Sequence, residues 1–129
     1  MFVIIDVEVT YKHGYFPTPE NNDIIKVDTI STNFDGCHQY KSVTPESIDK
    51  IKGELENNVL ITFCYDFESS FLNKYGIYPK RHIDLNKLLG FGTLERCCDL
   101  SNIPFNKDNI CETIYKLSCA NLDKILKVR

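Results

Sequence analysis

The sequence predicts an α/β fold built on a mixed sheet that begins with antiparallel strands. Three observations carry this. Strand-like runs of β-branched and aromatic residues fill the first third of the chain, the apolar spacing turns helical after Thr44, and one further apolar run at 59–63 separates that helix from a mostly helical remainder. At 129 residues the chain fits one domain, 1–129.

Phe2 to Ile5 is a short apolar run ended by Asp6, and reads as a buried strand. Tyr11 to Asn22 holds Gly14, Pro17 and Pro19 and reads as a loop. A second strand follows over 23–31 with Ile25, Val27 and Thr29 alternating, then a turn over 33–36 and a third strand over 37–41. Thr44, Pro45 and Glu46 have the composition of an N-cap, a first-turn proline and an early carboxylate, ahead of Ile48, Ile51 and Leu55 at helical spacing. Asn57 and Asn58 end that helix. Val59 to Phe63 is apolar on both faces and reads as a central strand. Asp66 opens a helix carrying Phe67, Phe71 and Leu72, closed near Gly76. Beyond it the spacing predicts helices near 84–89, 93–100 and twice after Pro104, with Lys80, Arg81 and His82 in a solvated loop.

Composition narrows the function. Hydrophobic residues make up 43% and charged residues 26%, an ordinary globular balance, and no apolar run is long enough to span a bilayer. No basic stretch precedes an apolar one at the N-terminus, so a cytoplasmic location without a membrane is expected. The six cysteines form no C-x-x-C pair, and reduced, buried thiols are expected rather than zinc ligands or disulfides. A net charge of −3 argues against a broad electrostatic grip on duplex nucleic acid. No Gly-rich phosphate loop is present.

Two acidic clusters lie where strand ends meet helix starts, a common place for chemistry in α/β sheets. In Asp6-Val7-Glu8 the two carboxylates are two apart on a strand, point the same way, and can reach one hard cation. Taken alone, the pair also fits a solvated strand end. Asp66 stands at a helix start, where the macrodipole alone would favour a carboxylate. Glu68, two residues on, reads as a surface residue.

The stretch from Phe2 to Thr10, an apolar strand running into Asp6-Val7-Glu8-Val9-Thr10, resembles the first motif of the DEDD (ribonuclease H-like) 3′-to-5′ exonuclease family. Val59 to Leu72, with Tyr65-Asp66 opening a helix, resembles the second, and Ser42 to Glu46 looks like the start of the helix between them. The resemblance implies a ribonuclease H-like sheet, three antiparallel strands followed by parallel ones. It implies Asp6, Glu8 and Asp66 as ligands of two Mg²⁺ or Mn²⁺ ions about 3.5–4 Å apart, a spacing suited to phosphodiester hydrolysis. Asp123, in the apolar-patterned stretch from Leu117 to Leu126, is the candidate fourth acid, and equally fits a solvated helical aspartate. The implied substrates are single-stranded 3′ ends of DNA or RNA, with Thr10 in the first motif and Phe63 and Tyr65 available to stack on a terminal base. A chain of this kind suits a virus or mobile element.

The sequence departs from the family near its end. Members carry a His five residues before the last Asp, or a Tyr four before it, and this chain has Ser118 and Cys119 there; the second-motif Asn is replaced by Thr62. Three outcomes follow: a carboxylate site acting without the usual base, substitution by another group such as Tyr115, or lost activity. His13, just past the first motif, reads as a surface imidazole and, as the alternative, as a phosphate contact. The three functions carried forward are a metal-dependent exonuclease, a weakened relative that binds nucleic acid, and a protein-interaction module.

Overall fold

The structure, a computed structural model, describes residues 1–12 and 14–128. Its strands are β1 (Phe2–Val9), β2 (Ile24–Thr32), β3 (His38–Val43), β4 (Val59–Thr62) and β5 (Arg81–Asp84). The helices are α1 (Asp49–Asn57), α2 (Tyr65–Lys74), α3 (Leu85–Leu89), α4 (Leu94–Leu100), α5 (Ile110–Ala120) and α6 (Leu122–Val128). The result is an α/β fold with one mixed sheet, in the order β3-β2-β1-β4-β5. The β1–β2 and β2–β3 pairs are antiparallel, and the β1–β4 and β4–β5 pairs are parallel.

Strand alternation divides the core into two layers. Phe2, Ile4, Ile30, Ile61 and Ile83 face α3 to α6 and pack with Leu85, Cys111, Ile114 and Leu117. Val3, Ile5, Val7, Val27 and Leu60 face α1 and α2 and pack with Ile51, Leu55, Phe71 and Leu72. β1 is apolar on both sides through Ile5 because it is central and covered twice.

The fold departs from the sequence expectation at four places. β1 does not stop at Asp6 but runs on to Val9, paired with β2 throughout. Arg81 and His82 belong to a strand rather than a loop; only Ile83 of β5 is buried, too little alternation to register as a strand pattern. Pro45 starts a short 3₁₀ turn before α1, and Thr44 makes no side-chain cap bond. All six cysteines are free, yet Cys37, Cys64 and Cys119 are exposed rather than buried.

The strand directions place the candidate acids. Ile4 of β1 is in register with Ile61 of the parallel β4, so the carboxyl ends of both strands lie at one edge of the sheet. Asp6 and the start of α2 are therefore at the same edge.

Candidate functional site

At the carboxyl end of β1 the apolar face turns polar. Asp6 lies directly opposite Asp28 of β2 and Glu8 opposite Lys26, so these four side chains share the face that carries Phe2 and Ile4. The Lys26 ammonium bridges two of them, 3.6 Å from Glu8 Oε2 and 3.3 Å from Asp28 Oδ2. Asp28 is buried, and among the described residues its Oδ1 has no hydrogen-bond partner. The first turn of α5 lies over the patch: Cys111 Sγ is 3.5 Å from the Asp28 carbonyl oxygen and 3.7 Å from that of Ile4. The opening beside it is a cleft of about 510 Å³, lined by Asp6, Glu8, Lys26 and Asp28 together with Lys107, Asp108 and Ile110.

Burial and like charge govern the electrostatics. The Asp6 carboxyl is pushed up from 3.8 to about 6, first by burial and then by the charges of Asp28 and Glu8, with Lys26 opposing. The Cys111 thiol is raised far above its ordinary range by burial and by Asp6, Asp28 and Glu68 around it, so it remains protonated. Lys26 is held protonated chiefly by Asp28.

The start of α2 contributes differently from expectation. Glu68, read from sequence as a surface residue, is buried, and its Oε2 accepts a hydrogen bond from the Val7 amide at 3.2 Å. The reason is local. The β1–β4 ladder runs only from Phe2 to Ile4, leaving Val7 N–H without a strand partner on that side, and Glu68 stands one turn before Phe71 and Leu72 on the buried stripe of α2. Burial and the neighbouring Asp6 and Asp84 push the Glu68 carboxyl well up, against the lowering effect of the Val7 bond. Asp66 is exposed in the first turn of α2, and the groups that shift Asp6 do not include it. Asp84 ties the edge together: its Oδ2 accepts from Tyr65 N at 3.0 Å, and its Oδ1 caps α3 through Asn86 N and Lys87 N.

Asp123 is not brought to this cluster. α5 starts over Asp28, and by Tyr115 it has reached Phe34 and His38, beside the strand ends that hold Phe2 and Thr32. It thus runs antiparallel to β1, and α6, with Asp123 exposed near its start, follows at the opposite edge. Tyr115 lies at that far edge too and cannot replace a base beside Asp6. Ser118 is fully buried, donating to the Ile114 carbonyl at 2.7 Å, and Cys119 is exposed.

Of the other candidates, Thr10 is exposed and fastens the loop after β1: its Oγ1 accepts from Asp23 N, and its own amide donates to Asp23 O. Phe63 is half-buried against the α5-side core. Tyr65 is half-buried and stacked on His82, with centroids 3.5 Å apart. His13 lies outside the described residues.

No known protein family matches this chain, and no curated protein is significantly similar to it. What the site can bind therefore rests on its own donors. Oxygen ligands from carboxylates suit a hard cation such as Mg²⁺ or Mn²⁺, and the partnerless Asp28 Oδ1 is an acceptor in want of a positive group. Among the described residues, no three His, Cys, Asp or Glu side chains already converge on one ion position. Asp28 and Asp108 in the cleft wall, and the buried Glu68 beside Asp6, are not among the residues the sequence points to. The apolar spacing of α2 contains the signal for Glu68; Asp28 depends on strand register and Asp108 on the path of a loop.

Proposed function

We propose that this chain is a ribonuclease H-like domain of the DEDD 3′-to-5′ exonuclease type, acting with Mg²⁺ or Mn²⁺ on single-stranded 3′ ends of DNA or RNA. The observation that carries the reading is the placement of Asp6 and Glu8. Both project from one face at the carboxyl end of the central strand, into a cleft also lined by Asp28 and Asp108. The 3-2-1-4-5 strand order and the change from antiparallel to parallel pairing are in keeping with it.

In this reading Asp6 and Glu8 hold the cation, and Asp66 lies at the same sheet edge, where a substrate phosphate or second ion would approach. Divalent cations there would supply the Lewis acidity that phosphodiester hydrolysis needs. Lys107, in the cleft wall, would meet a substrate phosphate in this reading. Among the described residues, no imidazole lines the cleft. General-base help of this kind is typically worth ~10²- to 10⁴-fold, so hydrolysis should be slow and rise with pH without an imidazole inflection.

A second reading, a weakened domain that binds nucleic acid without cleaving it, is favoured by one observation: the first turn of α5 covers the patch with a buried thiol, Cys111, bonded to the Ile4 and Asp28 carbonyls, and brings no carboxylate to it there. End-labelled single-stranded DNA and RNA incubated with Mn²⁺ at pH 7 to 9 separate the two. The first reading requires stepwise shortening that stops in Asp6→Ala. Binding without shortening selects the second, and shortening that persists in Asp6→Ala rejects this site.

A further inference from the structure

We infer that Asp28, on β2, is a cation ligand of this site and completes a set with Asp6 and Glu8 from β1. The inference rests on the cation-site reading above and assigns it a residue that no motif indicates. Two independent features support it.

The first is strand register. Asp6 and Asp28 are directly opposite each other in an antiparallel pair, and like charges so placed repel. Lys26 bridges Glu8 and Asp28 through one oxygen of each, and forms no ion pair with Asp6. The second is the unmatched atom. Asp28 is 5% exposed and lines the cleft; Lys26 and the Tyr40 hydroxyl act on its carboxyl, yet its Oδ1 has no hydrogen-bond partner among the described residues. A buried carboxylate oxygen without a partner is costly in a protein that gains nothing from it. A hard cation seated between the two carboxylates, on the face of the sheet that carries them, would satisfy that oxygen and relieve the repulsion together. It would also take over the carboxylates that Lys26 now bridges, so the ammonium and the metal compete.

Mn²⁺ binding to the full chain, measured by calorimetry and by the loss of the free-Mn²⁺ electron paramagnetic resonance signal, tests this without relying on activity. Asp28→Asn is isosteric and removes a repulsive charge, so folding should survive, as circular dichroism would verify. It should weaken Mn²⁺ binding at least tenfold. Asp123→Asn, at the far edge, should leave it within twofold. Lys26→Met, which removes the competing ammonium, should tighten it several-fold. Asp28→Asn binding within twofold of wild type overturns the inference and leaves the cation site standing. So does a Lys26→Met variant that binds more weakly. A wild-type chain that binds no Mn²⁺ overturns both the inference and the metal-dependent function.

Discussion

Replacing Asp6 with Asn should make this protein more stable at pH 8 and leave it nearly unchanged at pH 4. The Asp6 carboxyl titrates at about 6 in the folded chain against an ordinary 3.8. The folded state therefore holds this proton more tightly than the unfolded state. Its contribution is fully present below pH 3.8, declines as pH rises, and is gone above about 6. A gap of roughly two pKa units at about 1.4 kcal/mol each amounts to ~3 kcal/mol at full effect. Asn keeps the shape, never ionises, and escapes that penalty. Urea unfolding at pH 8 should show Asp6→Asn more stable by about 2–3 kcal/mol, or ~8–12 °C in Tm for a domain of this size. At pH 4 the two curves should agree within about 0.5 kcal/mol. An equal difference at both pH values, or a less stable variant at pH 8, would refute the electrostatic account of the patch. Stabilisation by loss of a charged residue is also the pattern expected where stability has been given up for function.

Other substitutions probe the surrounding supports. Glu68→Ala should lose about 1–3 kcal/mol because Val7 N–H is left without an acceptor, whereas Glu68→Gln, which keeps the acceptor and drops a buried acid, should be at least as stable as wild type at pH 8 by urea unfolding. Asp84→Ala removes the α3 cap and the Tyr65 N–H acceptor together, and should cost ~1–2 kcal/mol with a matching fall in Tm. A thiol-reactive disulfide reagent at pH 8 should label Cys37, Cys64 and Cys119 quickly in the folded protein and reach Cys97, Cys98 and Cys111 only in denaturant. Fast labelling of Cys111 would mean that α5 does not cover the patch.

Local pattern made much of the fold legible, and long-range register hid much of the site. The change from two-residue to helical spacing at Thr44, and the apolar run at 59–63, suffice to predict four of the five strands and their mixed character. β5 was hidden because its one buried side chain, Ile83, makes no pattern. Asp6 and Glu8 were legible as a pair because alternation alone puts them on one face. Their neighbour Asp28 was not, since a shift of one residue in the β1–β2 register would have turned it to the other side. The choice of Asp66 over Glu68 came from motif position, while the 68, 71, 72 spacing already marked Glu68 for the interior. The separation of Asp123 from this cluster was not legible, because nothing in local sequence says which way α5 crosses the sheet.

The place where the β1–β4 ladder gives out offers a way to watch the site from inside. The Val7 amide ends on a side chain, Glu68, rather than on another strand, and that carboxyl adjoins Asp6. In a ¹⁵N-labelled sample its resonance would move whenever Glu68 gains or loses a proton, whereas the Val3 amide, inside the ladder, would serve as a stationary reference. Adding a cation or a nucleic-acid end would then be read at one backbone atom, with no dye, no engineered label and no need for turnover.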